Sequence, residues 1–333
     1  MKKKEIKIDF IIPWVNFEDK DWQKSFNKIK KSTEDNINPA RYRDWGLLKY
    51  LFRGIEKNTP WVNRIWVITD CEMPEWYNNK NKKVRIIKQS NILKEKDCPN
   101  FNINAVELNM HRIIDLSDYF VYINDDMFFL KYTPSSLFFK NGLPCDSALL
   151  SPIIVTRKQD VGSIAVNNMC LINTHFEKNK VIHSRPGQWI NIRYGKLLIR
   201  SLFVMPWRHF TGFYNPHLPQ PFLKSTFQEV WECEKDRLEE VTSHRFRNYY
   251  SDINQWLIRY WQLCKGSFCP STPNRGKDLS VLDIEKTTRT IKKQKFYFVC
   301  INDDEKIQDI TEYKTKLIEA FEKIFPDKSE FEK

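Results

Sequence analysis

The sequence predicts an α/β fold, in which an open, mostly parallel sheet is flanked by helices and followed by a mainly helical C-terminal portion. Short apolar runs alternate with segments of helical periodicity as far as residue 131. Each apolar run ends in polar residues, which is typical of buried parallel strands. Only 9 of the 333 residues are glycine, and this argues against a loop-rich all-β architecture.

Four strands and three helices are predicted in the first part of the chain. The strands are IKIDFIIPWV (6–15), NRIWVITD (63–70), VRIIKQSNIL (84–93) and YFVYIND (119–125). The helices span 19–34, 43–62 and 102–117. In the third helix Glu107 and His111 are separated by one turn, so they are predicted to share a face.

The character of the sequence changes after residue 131. Residues 163–176 fit either a strand or a short helix, and further helices are predicted at 225–246, 252–266 and 311–325. We therefore expect two parts: residues 1–150, which hold the sheet, and residues 151–333, which are mostly helical and complete the site.

The net charge is +12 and the sequence pI is about 9.2, which favours an anionic partner such as nucleic acid, a phosphate-bearing substrate or a membrane surface. Part of this charge lies in local runs such as MKKKEIK, which are usually solvated faces. No zinc-knuckle pair or aromatic ribonucleoprotein strand accompanies the charge, so no nucleic-acid partner is expected.

The 8 cysteines are scattered and include no C-x-x-C pair. The first residues lack the apolar core and cleavage site of a signal peptide, so we expect reduced cysteines and a cytoplasmic protein. No apolar run approaches the ~18 residues of a transmembrane helix. The sequence thus predicts a location in the cytoplasm or at the inner face of the plasma membrane.

Polar side chains follow the predicted strands. Asn16 and Asp70 end the first two strands, and Asn124, Asp125 and Asp126 end the fourth. Ligands of open parallel sheets bind beyond the carboxyl ends of the strands, which makes this edge a candidate site. Two carboxylates and an amide suit Mg²⁺ or Mn²⁺, which take oxygen ligands and bridge phosphates. The alternative is an ordinary strand end, where Asn and Asp are frequent.

The motif INDD at 123–126 recurs at 301–304. The second copy lacks the MFF that follows the first and continues into EKIQD. We interpret it as a separate strand end or helix cap and not as a second metal site.

Three further groups could carry chemistry. Glu107 points to the same edge, although a solvated helix face explains it equally well. His217 lies between prolines in NPHLPQP, and such rigid presentation in a loop favours a functional role. Arg245 and Arg247 precede Asp252; arginine binds phosphate with two N–H groups, but an Arg–Asp pair is also an ordinary helix cap.

Four segments, in order along the chain, resemble the Stealth family of hexose-1-phosphate transferases. This family includes bacterial capsule and cell-surface polysaccharide phosphotransferases and the catalytic subunit of N-acetylglucosamine-1-phosphotransferase. The segments are IDFIIPWVNFEDKDW (8–22), 41–78 continuing through 101–129, NPHLPQPFLKSTFQEVWE (215–232) and SHRFRNYYSDINQWLIRYWQLCKG (243–266). The first departs from the family's Thr-Trp-Val-Asp/Asn-Gly, since Pro13 replaces the threonine and Phe17 the glycine.

The resemblance implies a GT-A-like, Rossmann-like fold and a reaction in which a UDP-sugar donates sugar-1-phosphate to a glycan hydroxyl and releases UMP. It implies Mg²⁺ or Mn²⁺ as cofactor, held by Asp125, by Asp126 or by both. The catalytic positions are Glu107, Asp126, His217 and Arg247, with the general base left open among the first three and Arg245 as the alternative arginine. Residues 1–150 would bind the donor, and the predicted donor contacts are Trp14, Asn16, Asn124, Arg245 and Asp252.

The acceptor implied by the resemblance is an oligosaccharide or a lipid-linked glycan in polysaccharide synthesis. One alternative function is a metal-dependent glycosyltransferase that moves the sugar without its phosphate. Another is a basic module that binds polyanions without catalysis. The segment KLLIRSLFVMPWRHF (196–210) mixes basic and aromatic residues, so it predicts either contact with a membrane surface or an ordinary element of the acceptor-side part.

Overall fold

The computed structural model of the chain describes residues 6–30, 42–156 and 160–333. Its strands, in chain order, are β1 (Ile8–Pro13), β2 (Ile65–Ile68), β3 (Val84–Ile87), β4 (Tyr119–Tyr122), β5 (Met127–Phe129), β6 (Phe139–Lys140), β7 (Leu143–Asp146), β8 (Gln220–Leu223), β9 (Cys269–Pro270), β10 (Gly276–Ser280) and β11 (Phe298–Asn302).

The helices of the described residues surround these strands. They are α1 (Lys20–Lys30), α2 (Leu48–Asn58), α3 (Ile103–Asn109), α4 (Val161–His175), α5 (Lys178–Ser184), α6 (Pro186–Trp189), α7 (Lys196–Val204), α8 (Lys224–Cys233), α9 (Lys235–Ser243), α10 (Gln255–Lys265), α11 (Ile284–Lys293) and α12 (Thr311–Ile324).

The central sheet has five strands in the order β3-β2-β1-β4-β8. Its first four strands run parallel, and β8 pairs antiparallel with β4 at the other edge. A second sheet has the order β10-β11-β5, and a small third sheet has the order β6-β7-β9. This mixed α/β architecture with a mostly parallel sheet confirms the predicted fold class and is consistent with a GT-A-like fold.

The central sheet separates two hydrophobic clusters, because successive side chains of a strand point to opposite faces. Phe10 and Ile12 of β1 belong to one cluster, which α2, α12 and the second sheet complete. Ile11 belongs to the other, which contains residues of α8 and α10. Strands β1, β2 and β4 are therefore buried on both faces, as their apolar sequences predict, whereas Arg85 and Ile86 of the edge strand β3 are exposed.

Two predicted elements end earlier than expected. The third strand stops at Ile87, and helix α3 stops at Asn109 and is followed by a 3₁₀ turn, Met110–Arg112. The Asn109 side chain donates to the carbonyl of Ala105 at 2.8 Å and to the hydroxyl of Thr242 at 2.9 Å, and such bonds compete with continuation of the helix.

The prediction that Glu107 and His111 share a helix face is wrong for this reason. The His111 ring instead stacks on Phe227 with 5.6 Å between ring centres. Burial, together with the charge of Arg112, lowers the pKa of His111 to about 3. His111 is thus a neutral core residue.

The other expectations divide as follows. Residues 163–176 form helix and not strand, since α4 begins with Asp160 accepting from the backbone N–H of Gly162. Helix α1 ends at Lys30, and the rest of the predicted 19–34 helix lies outside the described residues. The division at residue 150 stays a prediction.

Among the helices of the described residues, none combines the length and the apolar character needed to cross a membrane.

Candidate active site

The acidic turn, Asn124–Asp126, joins the two larger sheets. It follows β4 of the central sheet and leads directly into β5 of the second. The backbone N–H of Met127 donates to the Asn124 carbonyl at 3.1 Å, which closes the turn. The turn therefore lies at the carboxyl end of a parallel strand, where the sequence placed a candidate site.

The second INDD motif lies against this turn. Strand β11 runs antiparallel to β5, with Cys300 opposite Met127, and the N–H of Ile301 donates to the Asp126 carbonyl at 2.9 Å. The motif does end a strand, as expected, but it is not separate from the first copy. Sequence reasoning missed Cys300 and Asn302, although the repeat itself was the signal that could have found them.

His217 is held between the two motifs. Its Nε2 atom lies 2.8 Å from Asn124 Nδ2, and its Nδ1 atom lies 3.0 Å from Asn302 Oδ1. Asn302 Nδ2 donates to the Leu279 carbonyl at 3.1 Å, which turns Asn302 Oδ1 toward the imidazole. Nδ1 therefore carries the proton, and Nε2 is the atom that can accept one.

A buried ion pair positions the loop that carries His217. Arg259 of α10 donates to both carboxylate oxygens of Asp146, at 2.7 and 2.9 Å. The same guanidinium donates to the Tyr214 carbonyl at 3.0 Å and to Asn215 Oδ1 at 2.8 Å. These bonds fix the backbone two and three residues before His217.

The pKa of His217 is raised above its ordinary value. Burial favours the neutral ring, but the negative charge of Asp126 and the bond to Asn302 outweigh it, with smaller contributions from Asp278 and Glu107. The imidazole is therefore a stronger base than a free histidine.

Glu107 lies behind the acidic turn. It is buried on α3, where it accepts from the Tyr122 hydroxyl at 2.7 Å and from the backbone N–H of Gln255 at 3.4 Å. Burial raises the pKa of its carboxyl, although the Tyr122 bond and the charges of Arg247 and His217 oppose this. Tyr122 is the last residue of β4, so Glu107 is fixed directly to the strand that carries the turn.

Asp125 and Asp126 are crowded carboxylates. Burial and the charges of Asp126 and Asp44 raise the pKa of Asp125 to about 8. Asp126 Oδ1 is buried without a hydrogen-bond partner. Both features fit a divalent cation, which would offset the repulsion between the two carboxylates and bind the Asp126 Oδ1 atom.

The neighbouring donors differ from those that Mg²⁺ prefers. One ligand atom each of Asp126, His217 and Cys300 lie within 4.8 Å of one another among the described residues. Imidazole and thiol are ligands of softer metals, whereas Mg²⁺ and Mn²⁺ favour carboxylate oxygens. The two aspartates therefore suit the expected cofactor, and the histidine and cysteine do not.

Three cavities border the acidic turn. One of about 500 Å³ contains Asp125, Asp126, Trp14 and the second-motif residues Asp303 and Asp304. A second, of about 260 Å³, contains both aspartates with Asn124 and Arg247. A third, of about 410 Å³, contains Asn124 with the side chains Glu107, His217, Arg247 and Asn302. Residues of the acidic turn thus line all three cavities.

Arg247, and not Arg245, borders these cavities. Arg247 lines two of them, whereas Arg245 donates to the backbone carbonyls of Pro99 and Lys96. The structure therefore favours Arg247 of the two candidates for phosphate binding.

Besides Arg245, two predicted donor contacts are engaged elsewhere. Asp252 is fully buried and accepts from Asn102, Asn104 and His244 at 2.7 to 2.9 Å. Asn16 accepts from the backbone N–H of Glu18, and the adjacent Phe17 packs against Trp22 with 5.7 Å between ring centres. This placement does not support donor binding by Asp252 or Asn16, whereas Trp14 lines two cavities.

Metal binding should therefore be visible in thermal stability. The folded chain holds the Asp125 proton more tightly than the unfolded chain, so stability falls as the pH rises from 3.8 to about 8. We expect Mn²⁺ or Mg²⁺ at pH 8 to raise the melting temperature by a few degrees. Asp125→Asn should be more stable than wild type without metal and should lose most of the metal response.

The control for this experiment is Asp70→Asn, because burial also raises the pKa of Asp70 but no metal is assigned to it. This variant should keep the metal response, and sodium chloride at equal ionic strength should produce none. A wild-type protein that does not respond to either metal would contradict the assignment.

Comparisons with known proteins identify relatives of the chain. The model of the family described as Stealth protein CR2, conserved region 2, matches residues 41–145. The chain is 40% identical to the capsular polysaccharide phosphotransferase WcwK of Streptococcus pneumoniae over 100% of both chains. It is 38% identical to the exopolysaccharide phosphotransferase cps2G of Lactiplantibacillus plantarum, over 98% of this chain and 96% of that one. It is 36% identical to the receptor polysaccharide phosphotransferase WefC of Streptococcus oralis, over 98% and 99%.

Proposed function

This chain belongs to the Stealth family of bacterial polysaccharide phosphotransferases, and we propose that it moves hexose-1-phosphate or N-acetylhexosamine-1-phosphate from a UDP-sugar to a glycan hydroxyl. The products are a phosphodiester and UMP. The acceptor is an oligosaccharide or lipid-linked glycan in the synthesis of a capsule or another cell-surface polysaccharide.

One observation carries the proposal: a carboxylate pair, an imidazole with a raised pKa and an arginine border adjoining cavities. Asp125 and Asp126 belong to the first two cavities, His217 to the third, and Arg247 to the second and third. Phosphoryl transfer needs mainly positioning and charge neutralisation, and this arrangement supplies both signs of charge around one turn.

We place the donor nucleotide in the cavity of about 260 Å³. This cavity lies beyond the ends of β1 and β2, where Thr69, Asp70 and Gln89 offer polar groups and Trp14 and Phe101 offer aromatic faces. Nucleotides commonly bind at this edge of an open α/β sheet. The donor diphosphate would then reach Arg247 and the acidic turn, which line the same space.

Mg²⁺ or Mn²⁺, held by Asp125 and Asp126, would supply charge neutralisation for the diphosphate. Asn124 would keep the neutral imidazole in place through its bond to Nε2. Arg247 would stabilise the negative charge on the transferred group with its guanidinium N–H donors.

The acceptor hydroxyl attacks the phosphorus that bears the sugar. A new oxygen–phosphorus bond forms, the bond from that phosphorus to the UMP oxygen breaks, and UMP leaves in line with the attack. His217 Nε2 takes the hydroxyl proton when the acceptor hydroxyl replaces the Asn124 amide, which lies 2.8 Å from Nε2, since the Nδ1 side is occupied by Asn302. Glu107 is less suited to this step because its buried carboxylate is fixed to Tyr122 of β4 and to the backbone N–H of Gln255.

The test is product analysis with a panel of UDP-sugars, Mn²⁺ or Mg²⁺ and a glycan acceptor. We expect UMP release that depends on the acceptor and the metal. Release of UDP instead would identify a glycosyltransferase, and binding of polyanions without turnover would leave the basic-module alternative.

A further inference from the structure

Helix α7 presents an apolar and basic face to solvent. Lys196, Ile199, Arg200 and Phe203 are all exposed and recur at the spacing of one helix side. The exposed fraction is 59% for Ile199 and 75% for Phe203. Large apolar side chains at such exposure are unusual when they lie together on one side of a helix.

Residues that flank the helix in the chain are exposed as well. Ile192 before the helix is 91% exposed, and Trp207 after it is 59% exposed. Arg193 and Arg208, next to them in sequence, are exposed as well. We call these eight residues the α7 face: Ile192, Arg193, Lys196, Ile199, Arg200, Phe203, Trp207 and Arg208.

The α7 face belongs to an ordered helix whose other side is anchored. Leu197, Leu198 and Val204 pack against the second hydrophobic cluster. The hydroxyl of Ser201, which is fully buried, accepts from the backbone N–H of Leu150 at 2.8 Å. The exposure of Ile199 and Phe203 is therefore a property of a fixed surface.

The chain segment that contains this face carries charged residues of one sign. Residues 178–228 contain no Asp or Glu, while they contain 8 Lys and Arg residues. The whole chain, by contrast, has 42 acidic residues against 54 basic ones. A surface of exposed Trp, Phe and Ile among Arg and Lys is complementary to the boundary between lipid acyl chains and anionic headgroups.

We propose that the α7 face docks on an anionic lipid bilayer, with its apolar side chains between the headgroups and its arginines and lysine on the lipid phosphates. The biological role of this docking rests on the proposed function, since a membrane-bound enzyme could reach a lipid-linked glycan. The docking itself requires only the surface.

The chain connects the α7 face to the active site. The backbone N–H groups of Ser151 and Ile153 donate to the carbonyls of Gly212 and Thr211 at 3.1 and 3.3 Å, which fixes the segment that follows Trp207. His217 lies ten residues after Trp207. A membrane contact at α7 would therefore be linked to the loop that carries the proposed base.

The experiment measures co-sedimentation of the full chain with vesicles in the absence of donor and acceptor. Wild type should bind vesicles of phosphatidylcholine containing phosphatidylglycerol and should bind pure phosphatidylcholine weakly. The double variant Phe203→Ser, Trp207→Ser should bind the anionic vesicles about tenfold more weakly. Arg193→Gln, Arg200→Gln should lose the preference for anionic lipid.

The control is Ile114→Ser, Tyr250→Ser, which removes two side chains of similar exposure (80% and 77%) outside the α7 face. It should bind vesicles as wild type does. Circular dichroism checks that each variant is folded.

Other outcomes would overturn the proposal. Equal binding by wild type and the Phe203, Trp207 double variant would exclude the face as the contact. A wild-type dimer in light scattering that this variant converts to a monomer, without vesicle binding, would assign the face to a second copy. The vesicle assay contains no donor or acceptor. Its result therefore tests membrane docking separately from the activity assay, which tests UMP release.

Discussion

Replacing His217 with glutamine should lower turnover by about 10²- to 10⁴-fold, the usual contribution of a positioned general base. Glutamine keeps a polar side chain between Asn124 and Asn302 but cannot take a proton at neutral pH. UMP release at saturating UDP-sugar is the measurement. The KM for the donor should change much less than kcat, because the imidazole acts on the acceptor.

The pH profile provides an independent check of this role. The pKa of His217 is raised, so the neutral ring gains population as the pH rises and the rate should rise with it. The His217→Gln variant should lose this rise of the rate with pH. His183→Gln changes an exposed histidine that bonds only to the Asn179 carbonyl among the described residues, and it should behave as wild type. An unaltered rate in His217→Gln would remove His217 from the mechanism.

Replacing Asp126 with asparagine should lower turnover by about 10²- to 10³-fold, since it removes a half-buried charge from the proposed metal site. Its Oδ1 atom has no hydrogen-bond partner, so the amide keeps the shape of the side chain while halving its capacity to hold a cation. The variant should also require more Mn²⁺ for half-maximal rate.

The second INDD motif offers the matched control. Asp304 accepts from the backbone N–H of Lys306 at 2.9 Å and stabilises a turn at the end of β11. Asp304→Asn should therefore change mainly the melting temperature and leave the transfer rate near that of wild type. Equal losses of activity in both variants would show that the two motifs act together on the ligand.

Much of the fold could be predicted from local patterns. Strands β1, β2 and β4 are continuous apolar runs, and α2 and α12 have clear helical periodicity, so their burial follows from sequence alone. The early end of α3 could not be predicted, because it depends on the Asn109 bond to Thr242, a residue 133 positions away. The sequence of residues 163–176 does not distinguish helix from strand, because its apolar residues follow neither the helical period nor strict alternation.

The candidate site was predictable only where its residues follow strands. Asp125 and Asp126 come after a recognisable strand, so their place at the ligand-binding edge could be inferred. The contact between His217 and Asn302 requires the antiparallel pairing of β11 with β5, which joins segments far apart in the chain. Asp252, by contrast, follows Arg245 and Arg247 in the sequence, which suggested a role in binding. In the structure its carboxylate bonds to Asn102 and His244 and so stabilises the fold.

The central claim is that the sugar and its phosphate move together. It is tested most directly with a UDP-sugar that carries one radioactive label in the sugar and another in the phosphate attached to it. After incubation with acceptor and Mn²⁺, the account predicts that the isolated glycan contains both labels in equal amounts and that UMP is released. A glycan that contains the sugar label alone, with the phosphate label in UDP, would contradict it.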